Sequence, residues 1–143
     1  MQADFPILPF ADQSAEEVVL SHVLEHFGYG DALILTTEMA RVLTLGGKAV
    51  IEVPDIEWCL RKFLESPEPP AYTNPSYDYN TEHRWGLYAQ SIWGDQHNDG
   101  LFHKWGYTEA RLSGLLKHAG LSSVRVEKLF SHGVQCLSAV ATK

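Results

Sequence analysis

One stretch, Ser14 to Asp55, limits what this chain can become. Its first apolar run, Val18-Val19-Leu20, is rich in β-branched residues, too short for a helix, and stops at the polar pair Ser21-His22. That pattern predicts a buried strand ending at a site. Leu33, Leu35, Met39, Val42 and Leu43 then recur at roughly three- and four-residue spacing, with Glu38 and Arg41 among them. This predicts an amphipathic helix of about three turns, ended by Gly46-Gly47. A second strand runs from Lys48 to Val53 and is stopped by Pro54-Asp55. Strand, helix and strand in this order make a βαβ unit with parallel strands and a right-handed crossover. Ligands in such sheets bind beyond the carboxyl ends of the strands. Ser21, His22 and the segment to His26 therefore fall on the functional edge, with Pro54-Asp55 beside them.

The rest of the chain adds helices and a strand pair. Pro6 and Pro9 make the opening an extended lead-in. Ile56 to Leu64 reads as a helix with Ile56, Cys59, Leu60 and Phe63 on one face. Residues 66–80, rich in Pro, Tyr, Asn and Ser, read as an irregular insertion. Glu82 to Trp93 reads as helix, Gly94 to Gly100 as a polar turn, and Thr108 to Ala119 as a helix capped by Thr108 and stopped at Gly120. Val124 to Leu129 and Val134 to Ala141 read as an antiparallel pair joined at Ser131-His132-Gly133. His83, His97, His118 and His132 are left as surface or loop residues.

With 143 residues, 45% hydrophobic and 11% aromatic, the chain has enough apolar material for a single globular domain over 1–143. A net charge of −7 offers no basic footprint for a phosphate backbone, so nucleic acid is not an expected partner. No apolar run is long enough to span a bilayer and no secretory pattern opens the chain, so a cytoplasmic protein without a membrane contact is expected. Cys59 and Cys136 belong to no CxxC pattern and are expected as buried reduced thiols.

Several short motifs then fall in register. Leu8-Pro9-Phe10-Ala11-Asp12, Glu17-Val18-Val19, His22-Val23-Leu24-Glu25-His26, Glu38-x-x-Arg41-Val42-Leu43 and Gly46-Gly47 together resemble the middle of a class I S-adenosylmethionine-dependent methyltransferase of the type 11 kind. Gly94-x-Gln96, His103-Lys104-x-Gly106-Tyr107-Thr108 and Leu112-x-x-Leu115-Leu116-x-x-Ala119-Gly120-Leu121 resemble its C-terminal third. Two departures stand out: Glu17 where the family usually has Asp, and Leu45 where it often has Pro.

The resemblance implies an α/β fold, a truncated Rossmann-like methyltransferase sheet. It would retain the 4-5-7-6 half of the family's strand order, with helices on both faces and an antiparallel C-terminal pair. The family's glycine-rich loop lies well before the Leu-Pro-Phe motif, and this sequence opens only a few residues ahead of it. The strand Val18–Leu20 is therefore expected at an exposed edge, where apolar strands pair with another chain. A homodimer or a partner chain follows from this, a two-fold dimer being the commonest arrangement.

By the same resemblance the cofactor is S-adenosylmethionine and the acceptor a small molecule or glycan precursor. Asp4 would accept a hydrogen bond from the adenine amino group, with Ser21 and His22 also on the cofactor side. His22 or His103 would take the acceptor's proton, and Tyr72, Tyr77 and Tyr79 either line an acceptor pocket or lie pinned on the surface. Glu25 and His26 are expected to hold the turn through backbone hydrogen bonds.

His22-Val23-Leu24-Glu25-His26 also fits H-x-x-E-H, the spacing of inverted zinc peptidases. The motif directly follows a strand, so the continuous metal-binding helix of those enzymes is not expected. The small-RNA 2′-hydroxyl methyltransferases are a nearer analogy, with a Glu-x-x-Glu-His and a remote His on a divalent metal. The corresponding residues here are His22, Glu25, His26 and His103. Metal is nonetheless not expected. Two other readings stand beside the methyltransferase: a non-catalytic binding or assembly module that keeps the fold, and a metal-dependent hydrolase.

Overall fold

Alternation along the strands sorts the apolar residues onto two faces of one sheet. The computed structural model describes residues 6–66 and 85–143. Asp4, most of the 66–80 insertion with its three tyrosines, and His83 lie outside the described residues. Strand β1 (Ala15–Ser21) leads through a short 3-10 turn (Leu24–His26) and helix α1 (Tyr29–Val42) to β2 (Leu43–Pro54). Helices α2 (Ile56–Glu65), α3 (Trp85–Trp93) and α4 (Glu109–His118) follow, and β3 (Ser122–Ser131) and β4 (Val134–Thr142) close the chain.

The sheet order is β1-β2-β4-β3. β1 and β2 are parallel, with Val19 opposite Val50, and β4 runs antiparallel to both β2 and β3. The βαβ unit and the C-terminal hairpin expected from the sequence are thus both present. Ala49, Ile51 and Val53 of β2 and Leu137, Ala139 and Ala141 of β4 point to one face, where they bury Leu35 and Met39 of α1 and Leu112 and Leu116 of α4. Val134 and Cys136 are the opposite register of β4 and pack on the other face with Cys59 of α2 and Leu87 and Tyr88 of α3. Both cysteines are free and buried, and burial pushes the Cys59 thiol up to about 12.

Gly46-Gly47 does not end the helix. α1 stops at Val42, and the glycine pair lies inside β2. Between Ala15↔Leu43 and Glu17↔Lys48 the β2 side carries extra residues, an irregularity that Gly46 absorbs at φ 81°. A Cβ on Gly47 would sit 2.9 Å from the Thr44 carbonyl oxygen and 3.0 Å from that of Glu16, so β1 approaches too closely for a side chain. The carbonyls at the end of α1 are met from elsewhere: Lys143 Nζ donates to the Arg41 and Leu43 carbonyl oxygens at 3.1 and 2.8 Å.

The Leu-Pro-Phe segment and the Glu38-x-x-Arg41 motif prove to be one device. Arg41 donates to both Glu38 oxygens, to Asp12 and to the carbonyl oxygens of Leu8 and Phe10, while the Leu8 amide donates to Glu38. The lead-in is thereby tied to α1. Arg41 holds the Glu38 carboxyl below the usual carboxylate value of 4.5. A depressed folded pKa adds stability above the unfolded pKa and loses it as pH falls through the folded one. Acid titration of unfolding should therefore show a loss of stability starting near pH 4.5 that is shallower in Glu38→Gln; identical acid limbs would mean the pair adds nothing.

Among the described residues β1 has a strand partner on one side only. Val19 on that strand is 56% exposed. No described helix is long and apolar enough to cross a membrane.

Candidate functional site

The carboxyl ends of β1 and β2 carry the site. His22 directly follows β1 with φ 52°, a conformation a histidine adopts at a cost, and its amide donates to the Glu52 carbonyl oxygen at 2.9 Å. The ring stands between two carboxylates: Nε2 is 3.1 Å from Glu52 Oε1, and Nδ1 is 3.4 Å from Glu25 Oε1. The Cys136 side chain and then Glu25 hold the imidazole well above its usual value, at about 10. Such a ring keeps its proton at neutral pH and donates rather than accepts.

Because β4 is antiparallel to β2, its first residues lie at the same sheet edge, with Cys136 opposite Pro54. The hairpin before it is a two-residue turn in which His132 and Gly133 both have positive φ, 52° and 82°. This turn sets the His132 ring against His22, centroids 5.1 Å apart and nearly perpendicular. His132 reads in the sequence as a turn residue only; nothing local marks it as facing the site.

His103 arrives from the other side. Gly94, at φ 83°, closes α3 and forms an isolated bridge with Phe102, and the His103 amide donates to the Trp93 carbonyl oxygen. A Cβ on Gly94 would stand 2.0 Å from the Leu101 carbonyl oxygen, so only glycine permits this return. The His103 ring then lies 4.9 Å from that of His26, and burial holds its pKa below the ordinary value. The backbone of Glu25 accepts from the Lys104 and Trp105 amides, which fastens the 103–105 segment to the 3-10 turn. It is thus the Glu25 main chain, not its side chain, that holds the turn. His26, as expected, uses its side chain on backbone, the Phe102 carbonyl.

His22, His26, His103 and His132 all line one cavity of about 350 Å³, together with Pro54, Val134, Gln90, Ser91 and Asp95. Of the residues singled out in the sequence, His22, His26 and His103 share this space. Ser21 is at the strand end beside it, exposed and paired in register with Glu52. Asp4 is outside the described residues. Glu52, Cys136 and His132, which surround His22, were not legible because each sits in a segment whose pattern speaks for strand or turn.

The family model described as "Methyltransferase domain" matches residues 1–51. No curated protein matches the sequence. Solved structures do. A Burkholderia thailandensis 1,6-didemethyltoxoflavin-N1-methyltransferase, solved with 1,6-didemethyltoxoflavin and S-adenosylhomocysteine bound, is 14% identical with a TM-score of 0.57, covering 93% of this chain and 45% of its own. A Methanosarcina mazei S-adenosylmethionine-dependent methyltransferase is 16% identical with a TM-score of 0.58, covering 95% and 62%. One from Thermotoga maritima, described as a possible histamine N-methyltransferase, is 14% identical with a TM-score of 0.57, covering 95% and 60%.

The chain therefore has the α/β fold of the S-adenosylmethionine-dependent methyltransferases, as the motifs imply, and the Leu-Pro-Phe to Gly-Gly portion lies within the matched family model. It spans less than two thirds of the length of each of these structures.

Proposed function

We infer that this chain forms the acceptor-facing part of an S-adenosylmethionine-dependent methyltransferase that acts on a small molecule or a glycan precursor. The observation that carries the reading is the histidine-walled cavity at the carboxyl ends of β1 and β2 in a methyltransferase fold. Methyl transfer requires the acceptor to be held in line with the sulfonium methyl. A cavity of about 350 Å³ suits a small acceptor, and the net charge of −7 disfavours a nucleic acid. In this reading His22 and His103 meet the acceptor, and Ser21 and Asp4 lie on the cofactor side.

The same reading gives the free edge of β1 a strand partner, from a second copy of this chain or from a separate one. Exposed Val19 and the lack of a strand neighbour on that side among the described residues support it. The reduced thiols Cys59 and Cys136 agree with a cytoplasmic setting.

Transfer of labelled methyl from S-adenosylmethionine to hydroxyl- and amine-bearing small molecules tests the assignment. His22, protonated, is not the base expected from the sequence; it donates to and positions the acceptor, and for any acceptor found His22→Ala should lower the rate by about 100-fold. Transfer that is unchanged in His22→Ala would remove this cavity as the acceptor site.

A further inference from the structure

An acceptor cavity leaves two features of its inner wall without a role. The Glu25 carboxylate is 2% exposed, and neither of its oxygens has a hydrogen bond among the described residues. Its contact with His22 Nδ1, at 3.4 Å, is an ion-pair distance but long for a hydrogen bond. A carboxylate buried this way is costly unless positive charge and further donors or a metal meet it.

The second feature is how the neighbouring imidazoles are held. His26 donates its Nδ1 proton to the Phe102 carbonyl oxygen at 3.1 Å, and His103 donates its own to the Ser91 carbonyl oxygen at 3.0 Å. A carbonyl only accepts, so both rings are fixed in the tautomer that leaves Nε2 with a free lone pair. A backbone carbonyl on the far nitrogen is what orients imidazoles that ligate metals. One ligating atom from each of Glu25, His26 and His103 lies within 4.8 Å of the other two. Glu25 and His103 border a small space next to Tyr107, whose hydroxyl is also buried with no hydrogen-bond partner among the described residues. His26 and His103 border the larger cavity as well.

We propose that Glu25, His26 and His103 form a binding site for one divalent transition-metal ion, with an open coordination position toward the histidine-walled cavity. Two imidazoles and a carboxylate are a donor set for Zn²⁺ and its neighbours in the series. Mg²⁺, which prefers oxygen alone, is not suited. A second group, His22, Glu52 and Cys136, is similarly close, but both nitrogens of its imidazole already face carboxylates. With an ion bound, Glu25 and His103 serve the metal, and His22 keeps Glu52 as its partner on the cavity wall. The site needs no nucleoside cofactor, so it stands or falls apart from the methyltransferase reading.

The test is titration of the full chain, stripped with a chelator and free of S-adenosylmethionine, with Co²⁺ as a visible stand-in and Zn²⁺ as competitor. One equivalent of Co²⁺ should bind, give d–d absorption without a thiolate charge-transfer band, and be displaced by Zn²⁺. His26→Ala and His103→Ala should each weaken binding by about 100-fold or more, and Cys136→Ser should leave it unchanged. The proposal is overturned by absence of a bound ion in the folded chain, or by a thiolate band that disappears in Cys136→Ser. Both readings come from the native protein or a substitution away from the proposed ligands, so neither depends on a ligand variant folding.

Discussion

Leu116→Ala is expected to remove about 2–5 kcal/mol of stability. Leu116 has no exposed surface and, with Leu112 one turn earlier, seats α4 on the face built by β2, β4 and α1. Truncation there loses apolar burial and leaves a cavity that a rigid sheet floor cannot close, so the cost should fall at the upper part of the large-to-small range. Against a total stability of about 5–15 kcal/mol this is a large fraction. Denaturant unfolding should show the midpoint shifted with the slope unchanged. A loss below about 1 kcal/mol would mean that α4 is not held on the sheet as described.

The second large effect is expected at Asp55, which is 2% exposed at the end of β2. Its Oδ1 accepts from the Trp58 amide at 3.3 Å as the N-cap of α2, and its Oδ2 accepts from Gln135 Nε2 at 2.8 Å. Lys128 Nζ stands 3.7 Å away. Its backbone also bridges to Tyr107. Asp55→Ala removes the cap and leaves the Gln135 amide without its acceptor, at a cost of about 2–3 kcal/mol. Asp55→Asn keeps the cap oxygen and should recover most of the loss in thermal unfolding. If the two variants melt alike, the capping account is wrong and the charge alone matters.

These two positions show what a linear reading can and cannot find. The βαβ unit was legible because Val18 to Leu20 and Lys48 to Val53 are apolar runs of strand length around a helical period. The capped helix at Thr108 was legible because capping is local, and the Arg111 amide does reach Thr108 Oγ1. Gly46-Gly47 misled because glycine pairs end helices and also permit close strand approach, and only the position of β1 decides between them.

The site was half legible for the same reason. His22 stands at a strand end and His103 within a recognisable motif. His132 reaches the cavity only because β4 runs antiparallel and returns its turn to the β1 edge. Glu52 reaches His22 through the parallel register that pairs Ser21 with Glu52. Such contacts belong to topology, and neither spacing nor composition encodes them.

The central claim, that this fold serves a methyl donor at the carboxyl ends of β1 and β2, is tested most directly by calorimetric titration with S-adenosylhomocysteine. The sample's mass should be fixed by light scattering in the same buffer. The account predicts micromolar binding by an assembly larger than one chain, since it proposes a partner strand at the side of β1 that has no strand neighbour among the described residues. Absence of binding in every assembly state would contradict it and leave a module that keeps the methyltransferase fold for its surface.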